Sequence, residues 1–228
     1  MFYIVFIDMK IIITENQFEK LKEPKVLHIP SFEIFGNDWD NLQNYLSRKG
    51  NPLYSIGGDL DLRDIPIESL GNLTSVGGDL YLQNTQIKSL GNLTSVEGNL
   101  DIEYVSIKSL GNLTSVGGDL DLRNAPIQSL GNLTSVGDGL FLQNTLIKSL
   151  GNLTSVGGHL DLRNTPIESL GNLTSVGDSL YLEGTSIESL ENLTSVEGSI
   201  NLRNTPMSKK YTKQKIRRMV NIGNNIYL

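Results

Sequence analysis

Carboxylates recur along this chain at fixed intervals, and they are the side chains whose spacing could do chemistry. Asp59, Asp79 and Asp119 stand beside Asp61 and Asp121, all in one 20-residue phase. Stacked acids of this kind attract hard cations. A specific calcium site needs six to eight converging oxygens, and the glycine–aspartate calcium repeats that GGDLDL resembles have a period of nine rather than 20. No metal and no other cofactor is therefore expected. The two histidines, His28 and His159, lie far apart in unlike contexts, and there is no cysteine. Disulfides, thiolate metal sites and cysteine nucleophiles are thereby excluded. No serine or threonine stands beside a placed histidine, and there is no phosphate loop. The carboxylates fall on a regular, open surface where their proton affinities are not tuned for catalysis. The sequence reads as non-enzymatic.

Two other patterns invite a chemical reading. Asn-Leu-Thr occurs seven times and formally matches a glycosylation acceptor, but its leucine is a core position and no secretory leader is visible. The acids all lie at or before Glu197, whereas residues 203–228 carry Arg203, Lys209, Lys210, Lys213, Lys215, Arg217 and Arg218. The short tail thus bears +7 and the remainder −13. An acidic body argues against a nucleic-acid partner. The basic segment reads mainly as a soluble cap helix.

The elements that must position these residues follow from an internal repeat. From Ser55 to Thr194 the sequence repeats every 20 residues, seven times, without insertion or deletion. The second copy is SVGGDLYLQNTQIKSLGNLT, from Ser75, and an eighth runs from Ser195 to about Met207. Leu80-Tyr81-Leu82 alternates apolar and polar, as a half-buried strand does. Ile87, Leu90, Leu93 and Val96 follow at a spacing of three, which suits a return path of extended and 3-10 segments. One copy cannot bury its own leucines; stacked copies bury them as one column. The strands must then be parallel and in register, about 4.8 Å apart.

LxLxxTxIxSLxxLxxV, recurring over residues 55–207, resembles a leucine-rich repeat. Its 20-residue form with VGGxLxL and GNLT is similar to short leucine-rich-repeat proteins encoded by tailed bacteriophages. The resemblance implies a solenoid with a parallel sheet on its concave face, 3-10 or extended convex coils and short capping helices at both ends. It also implies a viral protein in the host cytoplasm or on the virion. One departure is plain. The inward asparagine position of the family holds Ile65, Thr85, Val105, Ala125, Thr145, Thr165, Thr185 and Thr205, which replace the buried ladder only in part. A different column, Asn72 to Asn192, is expected to bond turn backbone.

The flanks read as caps. Residues 1–54 form an N-terminal region: a strand over Lys10–Ile13, a short helix over Glu15–Lys22 behind the capping box Thr14–Gln17, and a helix over Asp38–Lys49 capped by Asn37. Met9 is an alternative start. Trp39, Leu42 and Leu46 would seal the first repeat. No signal peptide and no transmembrane segment is read. Residues 208–228 replace the ordinary return path. Thr212 to Met219 is helix-compatible, with Ile216, Met219 and Val220 on one side. Ile222 to Leu228 then matches Val76 to Leu82 and predicts a ninth strand with an exposed edge.

The outward face of the strands carries the candidate binding surface. Its central column is Asp61, Tyr81, Asp101, Asp121, Phe141, Asp161, Tyr181, Asn201 and Tyr227; beside it run Arg63, Gln83, Glu103, Arg123, Gln143, Arg163, Glu183 and Arg203. These positions vary between copies while the core does not. Tyr81, Phe141 and Tyr181 read as exposed aromatics on a rigid sheet, the type that anchors a protein interface. The alternative is a solvated face with aspartates and arginines pairing between neighbouring strands. The expected function is recognition of a host or phage protein by this face. Two other readings stay open: self-assembly through the terminal strand, and glycan binding by the aromatics.

Overall fold

The computed structural model describes residues 3–6, 9–12 and 25–228. Tyr3–Phe6 and Met9–Ile12 pair as an antiparallel hairpin. The strand expected over Lys10–Ile13 is seen over Met9–Ile12; Ile13 and the helix expected over Glu15–Lys22 lie outside the described residues. From Leu27 onward the chain is a leucine-rich-repeat-like parallel solenoid, its coils 20 residues long from Ser55 to Ser195 and longer at the two ends, where helices are inserted. No helix among the described residues is long and apolar enough to cross a membrane.

Each coil contributes two short strands to two parallel sheets. Leu80–Tyr81 and its equivalents form a nine-stranded sheet, called here the Leu-Xaa sheet, in which Leu80 pairs with Leu100 and Tyr81 with Asp101. The Ser-Val pairs form a ten-stranded sheet, with Ser75 on Ser95 and Val76 on Val96. This second sheet was not anticipated. Gly77-Gly78 bends the chain between the two strands, so what reads as a return path is itself paired. The rest of the coil is extended segments and tight turns, and the 3-10 helix among the described residues is Phe32–Phe35.

Leu80, Leu82, Ile87, Leu90, Leu93 and Val96 are buried, as are their equivalents throughout the seven full repeats, so one apolar column runs along the stack. Two turn positions per coil are left-handed. The first, after the Leu-Xaa strand, holds Asp64, Asn84, Tyr104, Asn124, Asn144, Asn164, Gly184 and Asn204. The second holds Gly71, Gly91, Gly111, Gly131, Gly151, Gly171 and then Glu191. Asparagine and glycine tolerate this conformation; a tyrosine does so at a cost.

The stack is sealed at both ends. Helix α1, Trp39–Arg48, buries Trp39, Leu42 and Leu46 against the first coil, as expected. Its cap is Asp38, whose Oδ1 accepts from the Asn41 N–H at 3.0 Å, and not Asn37, which is itself left-handed. At the other end are α2, Pro206–Lys210, capped by Thr205, and α3, Lys213–Met219, capped by Thr212. Ile216 and Val220 are buried, but Met219 is 40% exposed, so it does not share their face. The ninth coil pairs Asn221–Ile222 on Ser195–Val196 and Ile226–Tyr227 on Ile200–Asn201. Its edges are not left equally open. Arg217 donates from Nη1 to the Ile222 carbonyl at 2.8 Å and from Nη2 to the Asn224 carbonyl, which are the groups a further coil would use in the Ser-Val sheet.

Candidate functional site

In-register parallel pairing places each outward residue above the one 20 positions earlier, so the outer face of the Leu-Xaa sheet is an array of columns. All the proposed site residues lie on it: Asp61, Tyr81, Asp101, Asp121, Phe141, Asp161, Tyr181 and Tyr227 down the centre, with Arg63, Gln83, Arg123, Gln143 and Arg163 beside them. The aromatics are less open than the alternation suggests. Tyr81, Phe141 and Tyr181 are half-buried, Tyr227 is exposed, and Asp161 is only 3% exposed.

The reason lies in how the polar neighbours are used. Aspartate and arginine pair along one strand, two residues apart, and not between neighbouring strands as the alternative reading had it. Arg63 donates from Nε to Asp61 Oδ1 at 2.9 Å and from Nη2 to Oδ2 at 2.5 Å. Arg123 grips Asp121 and Arg163 grips Asp161 in the same way. These are fork-shaped, charge-assisted contacts. The Arg63 fork holds the Asp61 carboxyl below the usual carboxylate range. Two of these guanidiniums then lie over the ring of the following coil, Arg63 over Tyr81 at 4.9 Å and Arg163 over Tyr181 at 5.3 Å, and Arg203 lies over Tyr227 at 5.1 Å. The other side of the Tyr81 ring is tied as well, its hydroxyl donating to Asp79 Oδ2 at 2.7 Å. That bond pushes the phenol up to about 12.

Coil 3 departs from this arrangement. Two residues beyond Asp101 stands Glu103, not an arginine, and burial, with Asp121 and Glu103 adding to it, raises the Asp101 carboxyl. Arg123 of the next coil reaches Glu103 at 3.6 Å. Gln143 donates from Nε2 to Asp161 Oδ2 at 2.6 Å, while Gln143 Oε1 and Gln83 Oε1 are buried without a partner among the described residues.

The Asp59 column serves the backbone. Asp59 Oδ1 accepts from the Asp79 N–H at 2.8 Å, Asp79 from Asn99 at 2.7 Å, Asn99 from Asp119 at 2.7 Å and Asp119 from Gly139 at 2.7 Å. The bond from Asn99 pulls the Asp79 carboxyl down. Oxygens spent in this way do not converge, and no metal-binding cluster of acids and histidines is found among the described residues. His159 stands in the same column. The sequence suggests a mere surface substitution; the structure places its Nδ1 3.4 Å from the Ser179 N–H and its Nε2 3.3 Å from Asp178 Oδ2. His28 Nδ1 lies 3.1 Å from Ser55 Oγ.

Two further ladders escaped sequence reasoning. The threonine of each Asn-Leu-Thr donates its hydroxyl to a backbone carbonyl one coil back: Thr74 to Tyr54 at 2.9 Å, then threonine on threonine from Thr94 on Thr74 at 2.9 Å to Thr194 on Thr174 at 2.8 Å. The inward threonines bond within their own coil instead, Thr85 Oγ1 to the Leu82 carbonyl at 2.7 Å and likewise at Thr145, Thr165, Thr185 and Thr205. The Asn72 column does bond turn backbone, as at Asn72 on Asn51, Asn112 on Gly91 and Asn192 on Gly171, but Asn92 bonds the Asn72 side chain. Recurrence at 20 residues was visible for every one of these; which polar atom faced which neighbour was not. One signal was legible and missed: an arginine precedes an aromatic by 18 residues at Arg63/Tyr81, Arg123/Phe141 and Arg163/Tyr181.

What this face offers chemically is a rigid surface of held rings and paired charges. In comparisons with protein-family models, curated proteins and solved structures, the chain matches none of them.

Proposed function

We propose that this protein is a non-enzymatic recognition module that binds a protein partner through the outer face of the Leu-Xaa sheet. The observation that carries the reading is a set of three tyrosines, Tyr81, Tyr181 and Tyr227, each under an arginine from the preceding coil, on one regular parallel sheet. Tyrosine and arginine dominate interface hot spots, and rings already held in place lose little freedom on binding. The resemblance of the repeat to phage-encoded proteins suggests a bacterial or phage protein as the partner.

The test is affinity capture from bacterial lysate with the wild type beside a Tyr81→Ser, Phe141→Ser, Tyr181→Ser variant that melts cooperatively. A protein retained by the wild type and lost from the variant supports the reading. Equal retention by both, or none by either, refutes it.

A further inference from the structure

The Leu-Xaa sheet face does not use the most strongly charged part of the molecule. Lys209, Lys210, Lys213, Lys215 and Arg218 are exposed at one end of the stack, on α2 and α3. None of them is ion-paired among the described residues. Five carboxylates stand on the two preceding coils, Asp178, Glu183, Glu188, Glu191 and Glu197, yet none reaches these cations. Met219 and Tyr227, both partly apolar and exposed, lie in the same cap.

The opposite end carries the complementary charge. The Ser-Val sheet begins one strand earlier than the Leu-Xaa sheet, at Leu27–Ile29, so Leu60–Asp61 is an edge strand set back from the end. Beside it opens a notch of about 790 Å³ between the 3-10 helix and that strand. Glu33, Asp59, Asp61 and Asp64 line it, and Arg63 is spent on Asp61.

One molecule cannot bring these ends together. Nine parallel strands about 4.8 Å apart hold them roughly 40 Å apart on a stiff stack, several screening lengths at physiological salt. Arg217 also closes the Ser-Val sheet edge beside the cations, so strand-on-strand continuation of that sheet is blocked. We infer that the cationic end, α2 and α3, docks into the acidic N-terminal notch of a second copy of this chain. The contact is heterologous, so repetition yields head-to-tail chains rather than closed dimers. It meets the sheet face proposed above at that face's two ends, Asp61 and Arg63 in the notch and Tyr227 at the cap, and does not involve Tyr81, Phe141 or Tyr181.

The test is sedimentation velocity of the full chain. At about 20 mM salt the weight-average coefficient should rise with concentration, and at about 500 mM it should return to the monomer value. Lys209→Glu with Lys213→Glu should stay monomeric at low salt. So should Glu33→Lys with Asp64→Asn, which keeps an amide oxygen at a left-handed position. Each variant retains one competent end, so mixing them should restore association, limited to a one-to-one pair. Three results would overturn the inference. These are a wild type that is monomeric at low salt, a mixture that does not associate, and low-salt particles that vanish on nuclease treatment. The last would mean that the cations hold nucleic acid.

Discussion

Tyr104 is the residue at which this fold most clearly carries a cost, and replacing it with asparagine should stabilise the protein by about 1–2 kcal/mol. Its φ is 60°, the left-handed region, and the other seven residues of its column are aspartate, asparagine or glycine. Holding a bulky side chain there costs on the order of 1 kcal/mol relative to asparagine. The ring is 67% exposed, so removing it forfeits little burial. An asparagine would also fill a gap in a ladder. Asn84 Nδ2 donates to Asp64 Oδ1 at 2.8 Å and Asn144 Nδ2 to Asn124 Oδ1 at 2.9 Å, whereas Asn124, facing Tyr104, turns to Glu103 instead. One or two restored exposed rungs add roughly 0.5–1 kcal/mol. The sum corresponds to a melting temperature raised by roughly 2–8 °C for a chain of this size. Thermal and urea denaturation of Tyr104→Asn beside Tyr104→Ala measures it. Alanine removes the ring but keeps the strain, so it should gain nothing. An asparagine variant no more stable than the alanine one would refute the reasoning.

Other consequences follow from the same geometry. Arg163→Ala leaves Asp161, buried to 3% exposure, without its fork, and should cost about 3 kcal/mol in urea denaturation; Arg63→Ala, at an exposed pair, should cost less than about 1 kcal/mol. The Asp61 and Asp79 carboxyls are depressed in the folded state, so their stabilisation is complete above the unfolded value near pH 4 and is lost as pH falls below it. Asp101 is raised and has the opposite sign, so Asp101→Asn should stabilise at neutral pH, with the gain vanishing by about pH 3 in denaturation midpoints. One residue inserted after Leu122, whose N–H bonds the Phe141 carbonyl at 2.9 Å, should break the register of both flanking coils; a single unchanged melting transition would contradict the coil assignment.

The sequence by itself determined the period, the inward set and the order of the coils. An apolar residue at Leu80, Leu82, Ile87, Leu90, Leu93 and Val96 of every copy has nowhere to go except into a shared column, so strict 20-residue spacing forces a stack of parallel strands. The same pattern at Ile222 to Leu228 revealed the ninth coil, and Trp39, Leu42 and Leu46 revealed the helix that seals the first. The tertiary structure decided how the polar side chains are spent. Their partners sit one coil away, or two residues along an extended strand, and which atom meets which depends on where the Gly-Gly bend turns the chain. That bend made a second sheet of Ser75-Val76 and its equivalents. It also turned Asp59, Asp79 and Asp119 from candidate cation ligands into acceptors for backbone N–H groups. Burial of Tyr81 and Tyr181 under Arg63 and Arg163, and the closing of one edge by Arg217, are likewise contacts between coils. A one-dimensional pattern records which face a residue takes, but not what lies across from it.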